Sequence, residues 1–165
     1  MAFSDESLRA KEYARRSGLS IVKQLGSGTQ GIVFSTNCDT AVKALIREDH
    51  YIRERNVYRR LQERKVERVG QFWVPQLTQA DDELLVIEME VVRPPFVLDF
   101  ASAYLDESPP YVNEPEVMAR WESEKREQFE SRWPEVKRMM RGFLAYGIYL
   151  PDVKPGNVMF ADDEE

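Results

Sequence analysis

Three glycines close together, in Leu25-Gly26-Ser27-Gly28-Thr29-Gln30-Gly31, join two runs suited to extended chain, Leu19-Ser-Ile-Val-Lys-Gln-Leu25 and Ile32-Val-Phe-Ser-Thr36. A chain that enters such a turn as a strand and leaves it as a strand is confined to an antiparallel hairpin, because β-branched flanks favour the pleated conformation and glycine tolerates the reversal. The glycine turn of a dinucleotide-binding fold runs from a strand into a helix instead, and Ile32–Thr36 does not read as helix. Asn37-Cys38-Asp39 reads as a further turn and Thr40-Ala-Val-Lys-Ala-Leu45 as a third strand. The glycine segment is then either a lid whose amides face phosphates or a plain hairpin turn using glycine for positive φ.

Flanking patterns extend this reading. Residues 5 to 17 predict a helix with Ser4 as N-cap, acids Asp5 and Glu6 in the first turn, Arg15 and Arg16 in the last, and Gly18 as the stop. Residues 48 to 65 predict a second helix with one buried stripe of Tyr51, Ile52, Val57, Tyr58 and Leu61. Val74–Thr78 and Glu83–Val92 predict two more strands turning at Asp81-Asp82, which brings the strands to five. Pro94-Pro95 interrupts backbone pairing and divides this strand-rich half from a helical one. There residues 97 to 105 predict a short helix, and residues 116 to 131 and 134 to 146 two longer ones, with Pro134 near a start and Gly147 as a stop. The division expected is an accessory helix over 1–18, a sheet-bearing lobe over 19–93 and a reduced helical lobe over 94–165, an α+β class.

Composition narrows the function. With 42% apolar and 32% charged residues over 165 positions, the chain has enough hydrophobic surface for a core. A net charge of −6 argues against nucleic acid as partner, since phosphate backbones are bound by clustered Lys and Arg. Cys38 and His50 stand alone of their kinds, so no disulfide or thiolate metal cage forms within the chain, and a Cys–His nucleophile would have to draw on a turn and a helix start. No stretch approaches the roughly 20 apolar residues of a membrane span, and no leader pattern opens the chain, so no membrane partner and a cytoplasmic address are expected.

The chemistry-bearing residues come in one series. Gly26, Ser27, Gly28, Gly31 and Val33 fit G-x-G-x-x-G-x-V; Ala41-Val42-Lys43 follows on the next strand; Glu54, with Glu48 as runner-up, lies on the next helix; Leu84-Leu-Val-Ile87-Glu88-Met-Glu90 leads into Pro94-Pro95; and Asp152-Val-Lys154-Pro-Gly-Asn157 sits near the other end. In this order, over residues 20 to 160, the chain resembles the protein-kinase-like family, with the signature set of phosphate loop, strand lysine, helix glutamate, hinge and catalytic loop. The resemblance implies a bilobal fold with an antiparallel five-stranded first lobe and ATP with Mg2+ in the cleft. It implies Lys43 paired to Glu54 and contacting phosphates, Val33 and Ala41 against the nucleotide, and Ile87 gating the back pocket. The backbones of Glu88 and Glu90 would meet the adenine edge. Asp152 would orient a hydroxyl, Lys154 offset the transferring charge and Asn157 hold the metal.

The pattern departs from that family at two places. Leu150 and Pro151 stand where His and Arg are usual, and the Asp-Phe-Gly whose aspartate grips the metal does not follow Asn157. Asp162 or Asp163 would fill that role only by folding back, since five extended residues span roughly 16 Å. The resemblance therefore implies a serine/threonine-type phosphotransferase, minimal or cut short, acting on a protein or small-molecule hydroxyl, or else a pseudokinase that binds nucleotide or a partner without catalysis. With the helices that usually complete the larger lobe absent, residues 134 to 160 are expected to leave an apolar face that a second copy could cover.

Overall fold

The computed structural model describes residues 5 to 162. Helix α1 (Glu6–Ser17) is capped by Asp5, whose carboxylate accepts from the amides of Ser7 and Leu8, and closed by Gly18 at φ 71°. Ser4 lies outside the described residues. Strands β1 (Ile21–Ser27), β2 (Gly31–Thr36) and β3 (Thr40–Leu45) follow, then α2 (Glu48–Glu63). Next come the two-residue strands β4 (Arg68–Val69) and β5 (Phe72–Trp73), and the longer β6 (Leu77–Asp81) and β7 (Val86–Glu90). The remainder holds β8 (Phe96–Val97), β9 (Tyr104–Leu105), α3 (Pro115–Phe129), α4 (Trp133–Leu144), β10 (Ile148–Tyr149) and β11 (Val158–Met159).

The main sheet is antiparallel in the order β1-β2-β3-β7-β6, which gives the five strands expected in the first half. Its central strand β3 is buried along its whole length because both faces are covered. On the outer face α1 lays Ala10 and Tyr13 against Phe34, Val42 and Val86. Arg9 of that helix is buried too, and its guanidinium donates to the carbonyls of Leu84 and Leu45 at 2.7 Å each, satisfying acceptors at the end of the sheet. The inner face meets α2 through Tyr51, Val57, Tyr58 and Leu61, at the predicted helical spacing. Ile52 was expected in that stripe but points outward, and Glu54 takes an inward position instead.

Of the three glycines in the β1–β2 turn, none has positive φ. What demands glycine there is close approach. A Cβ on Gly31 would run into the carbonyl oxygen of Ala44 and come within 3.1 Å of the Leu45 Cα, whereas Gly28 has open space around it. Gly31→Ala is expected to lower stability by about 1–3 kcal/mol through backbone overpacking. Gly28→Ala should fall within about 0.5 kcal/mol of the parent in the same chemical denaturation series.

The second half departs from expectation at residues 97 to 105. Apolar Val97, Phe100, Ala101 and Tyr104 follow a helical spacing in sequence, yet the segment is strand, turn, strand. Phe96 and Val97 pair with Met159 and Val158, and Tyr104 and Leu105 with Tyr149 and Ile148. Asp99 (φ 71°) and Asp106 (φ 65°) interrupt any helix. Long-range pairing overrides local periodicity here, and no window of sequence contains both partners.

The first pairing belongs to a second sheet, β11-β8-β5-β4, and the other forms a separate two-stranded sheet of β9 and β10. Arg60 of α2 reaches the same region, donating to Asp106 at 2.7 and 2.9 Å and to the Tyr146 carbonyl at 2.8 Å. A single hydrophobic cluster runs from Ala41 and Leu45 through Tyr58 and Phe100 to Val136, Met139 and Phe143. Part of the apolar face expected over residues 134 to 160 is buried in this cluster, while Met140, Tyr146, Tyr149 and Met159 are half-buried. Among its large apolar side chains Leu144 is exposed, beside the half-buried Met140 and Tyr149 of an open groove. No helix among the described residues is long and apolar enough to cross a membrane.

Candidate functional site

Between the glycine turn, the inner face of the main sheet and the segment before β11 lies a cleft of about 490 Å³, within the range of small-molecule sites. Its roof is Gly26, Ser27, Gly28 and Gly31, with Val33 behind them; its rear wall carries Ala41 and Lys43, with Glu54 deeper in. Asp152, Lys154 and Asn157 line the opposite side. Residues more than a hundred positions apart thus share one hollow. Glu48, the runner-up for Glu54, is exposed at the first turn of α2.

Two predicted hinge residues lie elsewhere. Ile87 is opposite Lys43 in the β3–β7 ladder and wholly buried, one step deeper on the same face than the cleft. Glu88 pairs with Val42 on one side and Gln79 on the other, so its backbone belongs to the sheet interior. Its side chain accepts from Tyr13 of α1 on the far face, at 2.7 Å. The cleft wall is formed by Met89, Glu90, Val91 and Val92. Of the hinge residues expected, Glu90 lines the cleft and Ile87 and Glu88 do not; Met89, opposite Ala41, lies on the same strand face as Ile87 two residues further on.

At the back of the cleft the Lys43 ammonium donates to both oxygens of Glu54, at 2.9 and 3.1 Å, with Glu54 fully buried. Burial works against the charge of Lys43, but Glu54 and then Asp99 outweigh it and raise its pKa above the ordinary lysine value. Burial, and the nearby Asp99 charge, push the Glu54 carboxyl up while Lys43 pulls it back. The pairing keeps the lysine side chain extended into the cleft rather than folded onto the surface.

Asp99 is the residue that sequence reasoning missed. Its Oδ1 lies 3.4 Å from Lys43 Nζ and its Oδ2 accepts from Asn157 Nδ2 at 3.1 Å. It also meets the glycine turn. With the Gln30 amide nitrogen turned toward it, the amide donates to both Asp99 oxygens at 2.7 and 2.9 Å, and its oxygen accepts from Ser102 Oγ at 3.1 Å. Strand β8, just before Asp99, pairs with β11, just after Asn157, and the Leu98 amide donates to the Asn157 carbonyl at 2.9 Å. That pairing brings the two side chains together. A signal was present in Asp99-Phe100-Ala101, an aspartate, an aromatic and a small residue, but it precedes Asn157 in the chain instead of following it.

Asp152 and Lys154 are more open, with 43% and 58% of their side chains exposed and 3.5 Å between Oδ2 and Nζ. Asp162 does not fold back to Asn157, because Arg132 donates to its two oxygens at 2.7 and 2.8 Å. Asp163 lies outside the described residues. Among those residues no group of three or more His, Cys, Asp or Glu side chains could hold a metal unaided. Asp99 and Asn157 meet at one point of the cleft, where the Asn157 amide nitrogen, rather than its oxygen, faces the Asp99 carboxylate. A single carboxylate suits Mg2+, a hard cation that binds through one or two carboxylates and completes its shell with water and substrate phosphates, and the Asn157 oxygen would join it only with that amide turned over.

No family model and no curated protein matches the chain. Among solved structures it is similar to APH(2")-IIa in a ternary complex with streptomycin and ATP, at 18% identity and a TM-score of 0.40, over 71% of this chain and 36% of that one. It is similar also to the gentamicin complex of APH(2")-IIa, at 19% identity and a TM-score of 0.40, over 70% of this chain and 35% of the other. The chain thus spans about a third of the length of each.

Proposed function

We propose that the chain is a kinase-like phosphotransferase unit that binds ATP with Mg2+ in this cleft and directs the γ-phosphate to a hydroxyl. The observation that carries the reading is the convergence of Lys43, already held by Glu54, with Asp99 and Asn157 across one hollow. Lys43 is a fixed cation for the nucleotide phosphates, and the turn from Gly26 to Gly31 brings main-chain amides over them. Ala41, Val33 and Met89 supply apolar contact for the base, with the backbone of Glu90 to Val92 along its edge. Asp99 and Asn157 would hold Mg2+, which neutralises charge on the phosphate oxygens when bound. Asp152 orients the acceptor hydroxyl and takes its proton, and Lys154 offsets charge on the transferring group.

The acceptor class is drawn from the resemblance: a serine or threonine hydroxyl of a protein, or a small-molecule hydroxyl. The rival is a module that binds nucleotide without transferring phosphate, and the Asp99 carboxylate beside Lys43 and Asn157 is the observation that favours the enzyme over it. ATP with Mg2+ at 100 times its Kd is expected to stabilise the fold by about 2.7 kcal/mol, read as a rise in melting temperature. No rise with or without Mg2+ would remove the enzyme and the nucleotide-binding module together. Given a rise, labelled γ-phosphate transfer by the wild type, with Asp152→Asn and Lys43→Ala lowering it, supports the enzyme. Equal labelling by all three would refute it.

A further inference from the structure

The Asp152 carboxylate faces the cleft with the Lys154 ammonium beside it at 3.5 Å, so its direction depends on how the backbone around it is held. That backbone is gripped from one helix. Trp121 Nε1 donates to the carbonyl of Pro151 at 2.8 Å and Lys125 Nζ to the carbonyl of Val153 at 2.5 Å, the carbonyls of the residues before and after Asp152. Trp121 and Lys125 are four residues apart on α3, one turn along the same face.

Lys125 is the informative member. It is only 5% exposed, and burial pushes its pKa down. An apolar side chain would occupy such a place at lower desolvation cost, so a lysine that spends its ammonium on one loop carbonyl marks a demand for that carbonyl's position. Its second partner, Gln128 Oε1 at 3.3 Å, lies on the same helix and steadies the donor. Trp121 is braced in turn by the edge of Trp133, whose own indole donates to Glu122 at 2.9 Å, so α3 is fixed against α4 before it reaches the loop. Leu150 and Pro151 carry no polar side chain of their own with which to anchor the turn.

We propose that Trp121 and Lys125 are positioning residues that set the direction of the Asp152 carboxylate by clamping the carbonyls before and after it. The inference rests on the reading of Asp152 as the group that orients the acceptor. Misplacing a catalytic group by about 1 Å costs on the order of 10²-fold. Lys125→Met and Trp121→Phe, which remove a donor and keep most of the bulk, are therefore expected to lower kcat for γ-phosphate release from ATP with Mg2+ by roughly 10–100-fold. KM for ATP and the melting-temperature rise with ATP and Mg2+ should stay as in wild type. Lys125→Arg, which restores a donor, is expected to recover part of the rate. Because the clamp acts through Asp152, adding Lys125→Met to Asp152→Asn should cost little more than Asp152→Asn alone.

Amide hydrogen exchange supplies a reading independent of turnover. Lys125→Met is expected to speed exchange at Val153, Lys154 and Asn157 by about tenfold or more while the main sheet is unchanged. Faster exchange with wild-type kcat overturns the proposal, as does a rate loss that adds in full to that of Asp152→Asn. Unchanged exchange in both variants overturns the clamp even if the wild type releases no phosphate. Absence of wild-type release accompanied by the faster exchange would overturn instead the phosphotransferase reading on which the role of Asp152 depends.

Discussion

Asp99→Asn is expected to lower γ-phosphate transfer from ATP by roughly 10²–10³-fold, the scale of losing one preorganised electrostatic partner of the transferring group, and to leave the fold intact. The substitution keeps the shape of the side chain and its capacity to accept from Asn157, but removes the charge that would hold Mg2+ beside Asn157. The change in stability is expected to be small, because the Asp99 charge supports the buried Lys43 ammonium while pushing the buried Glu54 carboxyl up, and the two effects oppose each other. The measurement is the initial rate of labelled phosphate transfer at saturating ATP, paired with melting temperatures with and without Mg2+. The added stabilisation that Mg2+ confers on the ATP complex should vanish in the variant. A rate equal to wild type, or a Mg2+ response left whole, would take the metal role away from Asp99.

Glu54→Ala has the largest expected effect on stability. Truncation leaves the Lys43 ammonium buried without its two contacts at 2.9 and 3.1 Å, and breaking a buried ion pair from one side costs about 3–5 kcal/mol. Asp99, 3.4 Å from the same nitrogen and partly exposed, offsets some of the loss and places the expectation at about 3 kcal/mol. For a chain of this size that corresponds to a melting temperature lowered by roughly 10 °C. Lys43→Met with Glu54→Leu removes both charges and should recover most of the stability, since a well-packed apolar pair often matches a buried ionic one. That double variant should show no rise in melting temperature with ATP. A single Glu54→Ala as stable as wild type would mean that the pair contributes nothing to the fold.

Much of the site was legible before any coordinates. The glycine turn between β-rich runs, the strand lysine, the inward glutamate of α2 and the Asp152, Lys154 and Asn157 series all depend on local spacing, and the structure gathers each of them around one cleft. Glu90 lines the cleft as expected, but Ile87 does not, because a strand presents the same face at every second position and Ile87 and Met89 are equivalent by pattern. Their distinction comes from the β3–β7 register, which sets Ile87 against Lys43 and Met89 against Ala41. The helix expected over 97 to 105 failed for a related reason: its apolar spacing fits a helix, but β9 and β8 find their partners in β10 and β11, some fifty residues further on.

Local order along the chain was enough to establish a five-stranded antiparallel unit, the helices that flank it and most of the polar groups that line the cleft, because turns, periodicity and capping act over a few residues. Which aspartate faces Asn157 was decided only by tertiary structure. The β8–β11 pairing delivers Asp99 to the cleft from a segment that precedes the helices, and strand pairing at that separation depends on the whole chain closing on itself.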